Sequence, residues 1–288
     1  MTRAFICSES AVSESLGYIL IFGVVMACIA LLYLNGTAII NNAQESTSFQ
    51  GMEQSLGVVA SDLSRSAYGE SPAMTSRVNV NYGSLCLNPA VSPAAATGSR
   101  LIIYDPDSPT GLADGYDRSL GNITFVSSVW GKSIAIENGA TLEMYDGSGD
   151  TGTIMTAEPR IFYSAKTRTL MVTVIRLNVA GLPASLMTVG SGVASIRSSY
   201  SNTQIQDIVV SDSTAEIRIL TQYTGAWMRY IEDSIPGINP DPANKKELIT
   251  FSTALGEGWV DARIDFTDPA RDLEKITVVT YNIDVKMS

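Results

Sequence analysis

Three rhythms of apolar and polar residues succeed one another along the chain. From Leu16 to Leu34 there is no polar beat at all: LGYILIFGVVMACIALLYL runs nineteen residues without a charge, inside an uncharged window from Ser15 to Gln44. At about 1.5 Å per helical residue, nineteen residues reach roughly 28 Å, the thickness of a bilayer's hydrocarbon core. The run holds eleven Leu, Ile, Val and Phe residues. At about −0.3 to −0.6 kcal/mol each, they favour insertion by several kcal/mol. A buried core helix would carry a polar stripe, and this run carries none, so the pattern predicts a membrane span over 16–34.

Downstream the period becomes helical. Phe49, Met52, Leu56, Val59 and Leu63 recur at spacings of 3 and 4, which predicts an amphipathic half over 45–68 on the same helix. Gly69-Glu70-Ser71-Pro72 should stop it. A continuous helix from Val12 to Tyr68 would reach roughly 85 Å, too long for one domain to bury. The first half therefore needs lipid or partner helices, and the seam of the second half should dock on a sheet.

Beyond Pro72 the period falls to two and β-branched residues dominate. Candidate strands are 77–82, 100–104, 122–129, 133–137, 141–145, 160–164, 169–179, 204–210, 214–223, 260–266 and 275–286. Trp227, Tyr230, Ile231 and Ile235 interrupt them with one short helical face, closed by Pro236-Gly237. The expected fold class is α+β, a long N-terminal helix followed by a mainly antiparallel β-sandwich or meander with one short amphipathic helix. The expected organisation is a leader over 1–11, the long helix over 12–70 and a β-rich domain over 73–288.

Composition narrows the chemistry. Nineteen Lys and Arg against 29 Asp and Glu give a formal charge of −10, which argues against nucleic acid as a partner. The chain has no histidine, which removes Ser-His-Asp and Cys-His catalysis and His-containing zinc sites. Of Cys7, Cys28 and Cys86, only Cys86 lies in the β-rich part, so no disulfide staples it; an intermolecular pair through Cys86 stays open. There is no GxSxG, P-loop or dinucleotide fingerprint. Catalysis is left only carboxylate pairs, which a sequence does not reveal, and the expectation is a protein that is not an enzyme.

Ala11-Val12-Ser13-Glu14-Ser15-Leu16-Gly17-Tyr18-Ile19-Leu20 resembles the start of archaeal type IV pilins and their pilin-like relatives, over about residues 8 to 35. In that family a polar leader precedes a long apolar helix, and a prepilin-type peptidase cuts on the cytoplasmic side. The resemblance implies a cut between Ala11 and Val12. Ser8-Glu9-Ser10-Ala11 supplies the small residue such a peptidase meets, without the usual basic one. It also implies a partner for Glu14: the free α-amino group of a neighbouring subunit, present only after cleavage. The plain alternative for Glu14 is an interfacial carboxylate just outside the span.

Other candidates are local. Asp146, Ser148 and Asp150 place oxygens at alternate positions, a pattern for Ca2+, although Thr151 and Ala157 stand where an EF-hand needs glycine and glutamate; a turn between strands explains the same residues. Asp105, Asp107, Asp114 and Asp117 fit a cation loop worse. No other cofactor is expected. Asn122-Ile123-Thr124 is a glycosylation sequon. Trp130, Trp227 and Trp259 could line a sugar groove or fill a core.

Arg3 and the α-amino group are the only positive charges before the span, which favours a cytoplasmic N-terminus and an extracellular C-terminal domain. The expected function is that of a noncatalytic pilin-like protein of the archaeal cell surface, membrane-anchored as a precursor. Its large β-rich part suits a minor or accessory filament subunit in adhesion or surface structure, meeting other pilin-like subunits through the apolar helix. The alternative is a single-span membrane protein whose β ectodomain binds a ligand or surface and never polymerises.

Overall fold

The computed structural model describes residues 9–90, 99–128, 131–145, 152–179, 187–190, 192–235, 249–251, 258–266 and 272–288. The chain forms two compact units, Met1–Gln50 and Gly51–Ser288. Helix α1 (Glu9–Ala67) supplies all the described structure of the first unit and the opening of the second.

In the first unit, Leu16–Leu34 is long and apolar enough to cross a membrane, with a mean hydropathy of 2.5, and none of it is buried inside the molecule. In the second unit the character of α1 reverses. Met52, Leu56, Val59 and Leu63 are at most 2 % exposed, so these four seam positions are a core face of the β-rich unit, while Phe49 is half-buried in the first unit. Gly69, at φ +78°, ends the helix, and the Glu70 N–H closes back on the Arg65 carbonyl at 3.0 Å. Only glycine takes that left-handed position without strain, which is why the helix stops here. The last turn is pinned from outside: the Tyr68 ring meets Tyr281 edge-on at 5.4 Å, and the Arg160 guanidinium stacks over it at 3.9 Å.

The strands are β1 (Ala73–Val80), β2 (Gly83–Asn88), β3 (Arg100–Tyr104), β4 (Tyr116–Ser119), β5 (Asn122–Ser127), β6 (Ser133–Glu137), β7 (Ala140–Met144), β8 (Thr153–Ala157), β9 (Ile161–Ser164), β10 (Thr169–Val179), β11 (Met187–Val189), β12 (Gly192–Val209), β13 (Thr214–Leu220), β14 (Ile249–Phe251), β15 (Trp259–Asp265) and β16 (Lys275–Met287). They form three sheets, in the orders β1-β12-β16-β10-β9, β11-β2-β5-β6-β7-β8 and β14-β15-β13-β3-β4. The fold is α+β with mainly antiparallel sheets. The first sheet departs from a meander: β10 and β16 run parallel, from Thr169 opposite Lys275 to Val179 opposite Val285. A parallel pair needs a long crossover, and the chain between Val179 and Lys275 supplies one.

One apolar cluster joins all three sheets. It takes Leu170, Val172 and Val278 from the first, Ala135 and Leu142 from the second, and Ile103, Ile217 and Val260 from the third. Helix α2 (Thr224–Arg229) and the π-helical turn Tyr230–Ser234 add Trp227, Tyr230 and Ile231 to it. The helical face of 227, 230, 231 and 235 is thus core, each residue at most 3 % exposed, while Pro236-Gly237 lies outside the described residues. Fully burying each such side chain contributes about 1.5–3 kcal/mol.

Candidate functional site

Two features carry chemistry: the apolar helix and a polar cleft. In the helix, Leu20, Phe22 and Leu32 are 68 %, 66 % and 73 % exposed, and they lie on different sides. Such a surface has no place in water; it calls for lipid or for other apolar helices. Ala11, Val12 and Glu14 lie in the opening turns of α1, ahead of the span. Cys28 is exposed within it, and Cys86 is half-buried on β2; no disulfide joins them.

The cleft begins from a hairpin. Asn138-Gly139 joins β6 to β7 with both residues at positive φ, +52° and +74°, the tight turn whose twist matches paired strands. The Asn138 Oδ1 accepts the Ile175 N–H at 2.9 Å, tying the tip to β10, and a side chain at position 139 would press on Ile175. This fixes Glu137 at the end of β6, 1 % exposed. Its Oε1 accepts the Trp227 Nε1–H at 3.0 Å and its Oε2 the Thr221 hydroxyl at 3.1 Å. The Tyr223 N–H in turn donates to Thr221 Oγ1 at 3.1 Å. Trp227 therefore serves the core and the carboxylate, not a sugar groove; Trp259 is half-buried under the Arg218 guanidinium, and Trp130 lies outside the described residues.

Burial pushes the Glu137 carboxyl up to about 7, against the pull of its hydrogen-bond donors. The folded protein then holds a proton on Glu137 that the unfolded chain, with an ordinary value of 4.5, releases. Stability therefore falls as pH rises from about 4.5 through 7, by roughly 3 kcal/mol in all. Glu137→Gln keeps an acceptor for Trp227 and offers Thr221 a donor, as the protonated acid does. Urea melts across that range should show a sloping wild type and a flatter variant; equal slopes would disprove the assignment.

Glu137 lies at the floor of a cleft of about 420 Å³, where ends of β2, β5 and β6 meet ends of β13 and β15. Among the described lining residues it is the only acid. Asn122, half-buried at the start of β5, lines the cleft; its Oδ1 accepts from Asn88 Nδ2 at 2.7 Å and from Thr124 Oγ1 at 3.3 Å.

A carboxylate pair does stand elsewhere, on the polar face of the third sheet. Arg218 reaches both Glu216, at 3.2 Å, and Asp261, at 2.5 Å, and the Tyr104 hydroxyl donates to Glu216. Burial and the neighbouring Asp261 push Glu216 up from the usual carboxylate range. This face neutralises itself: Arg100 pairs with Asp117 and Arg263 with Asp107, which takes two members of the expected second acidic loop. Asp105, 1 % exposed, accepts the N–H groups of Asp107 and Ser211 at 3.0 and 2.8 Å and so braces that loop. Among the described residues, no group of three or more acids or cysteines could hold a metal ion. Asp146, Ser148 and Asp150 lie outside the described residues.

No solved structure gives a significant match to the chain. An uncharacterized protein of Archaeoglobus fulgidus is 24 % identical over 261 residues, covering 78 % of this chain and 84 % of its own. Residues 11–285 match the family of unknown function DUF7289, a span that takes in the apolar helix, the cleft and nearly all of β16. The chain belongs to that family.

Proposed function

We propose that the protein is a noncatalytic, type IV pilin-like surface protein of an archaeon, anchored as a precursor by Leu16–Leu34 and built into a filament as a minor or accessory subunit. The observation that carries this reading is the apolar run with no burial inside the molecule, preceded by Glu14 two residues away. Packed among other apolar helices, a carboxylate at that depth requires a positive partner. Cleavage before Val12 by a prepilin-type peptidase would create one, the new α-amino group of a neighbouring subunit. On this reading the N-terminus starts in the cytoplasm, and the β domain is an extracellular sandwich serving adhesion or surface structure.

Determining the N-terminus of the protein isolated from its native membrane or surface fraction tests the reading. The expected start is Val12. A start at Met1 or Thr2 overturns it and leaves a single-span anchor carrying a ligand-binding β domain, the second reading, which the polar cleft favours.

A further inference from the structure

The cleft lies within the β-rich unit, and its chemistry points to a ligand. A volume of about 420 Å³ lies in the range of small-molecule sites, about 300–1,000 Å³. Asn88 and Asn122 face each other across the β2–β5 pairing. The single bond between them, Asn88 Nδ2 to Asn122 Oδ1, uses one donor and one acceptor. Left over are the carbonyl oxygen of Asn88 and the amino group of Asn122, an acceptor beside a donor on one wall. A hydroxyl group both donates and accepts, so two neighbouring hydroxyls complement that wall; a carboxylate or an ammonium group would satisfy only half of it.

Ser99, 3 % exposed, lines the floor beside the Glu137 carboxylate. Among the described lining residues Glu137 is the one charged group, and each of its oxygens already accepts a hydrogen bond, from Trp227 and from Thr221. Val126, 42 % exposed, gives the carbon face of a ring an apolar rest.

We propose that this cleft binds a neutral saccharide, held by the Asn88–Asn122 amide pair over Val126. With few hydrogen bonds and little apolar area, the dissociation constant should be on the order of 1 mM.

The test is saturation-transfer difference NMR on the unglycosylated full chain in detergent micelles. The probes are methyl α-glucoside, methyl α-mannoside and methyl β-galactoside, with methyl glucuronide as the charged control. At least one neutral glycoside should receive saturation and the glucuronide none. Asn122→Asp keeps the shape but turns the free donor into an acceptor, and should weaken binding about tenfold, the loss of one good hydrogen bond. Val126→Arg, at an exposed position, should block the cleft and abolish binding, and it keeps the question decidable if Asn122→Asp does not fold. No transfer to any of the three, equal transfer to the glucuronide, or binding unchanged in the folded variants overturns the proposal. A native start at Met1 would end the pilin-like reading and leave this site untouched, so the two fail separately.

Discussion

Trp227→Ala should cost the β domain about 3–5 kcal/mol, the toll of emptying a fully packed Trp site, with about 1–3 kcal/mol more because Glu137 Oε1 loses its donor. Trp227 is 1 % exposed, stands edge-on to Tyr230 at 5.9 Å and bonds Glu137 at 3.0 Å, so neither collapse nor water readily replaces it. Against the roughly 5–15 kcal/mol that holds a typical domain folded, the sum removes most of the margin. Equilibrium urea unfolding measures it. Trp227→Phe separates the two parts: it retains most of the apolar volume and deletes only the N–H. That N–H is one of the forces holding the Glu137 proton affinity down, so its loss should move the pH-dependent decline to higher pH. A Phe variant with the wild-type pH profile would mean that the indole does not donate to Glu137.

Arg218→Ala should be the second most damaging change, at about 3 kcal/mol. Breaking a buried ion pair by removing one partner costs about 3–5 kcal/mol, and the low end applies because 36 % of the Arg218 side chain meets water. What remains is Glu216 beside Asp261, two carboxylates whose side chains are 14 % and 6 % exposed, with no cation between them. Acid should therefore rescue the variant in part: Glu216 already takes a proton more readily than an ordinary glutamate, and one shared proton relieves the repulsion. The expected result is a loss of thermal stability that is large at pH 7 and smaller near pH 5. An equal loss at both would show that the stacking of Arg218 on Trp259, and not its charge, does the stabilising.

Periodicity revealed most of what lies close along the chain and little of what lies far apart. The spans 100–104, 133–137 and 169–179 coincide with β3, β6 and β10, because a period of two with β-branched residues is a local property. By contrast 204–210 covers only the last third of β12; Gly192–Thr203, with four serines, is too polar to read as a strand and is held by pairing with β1 and β16. β4 and β11 are short and owe their place to neighbours. The parallel β10–β16 pairing joins segments about a hundred residues apart, and nothing in either announces its direction. The same distance hides the polar sites. Glu137 meets Thr221 and Trp227 across 84 and 90 positions. One local signal was available: Asn138-Gly139 is a hairpin dipeptide, and it fixes where Glu137 must stand. The acidic loop at 105–117 shows the opposite failure, since a run of aspartates reads alike whether it gathers a cation or answers arginines elsewhere.

The position of β16 also sets the order in which the molecule can be made. This strand, Lys275–Met287, bonds to β12 along one edge and β10 along the other, so it is the middle of its sheet. A ribosome adds about 5–20 residues per second, and until it reaches this stretch the partners on either side have no common neighbour. They emerge as open edges, the state in which strands pair with the wrong chain. Closure of this sheet must therefore wait until synthesis has passed Met287. A stop codon anywhere between α2 and β16 removes the keystone of a sheet, where in a meander it would have trimmed only the border.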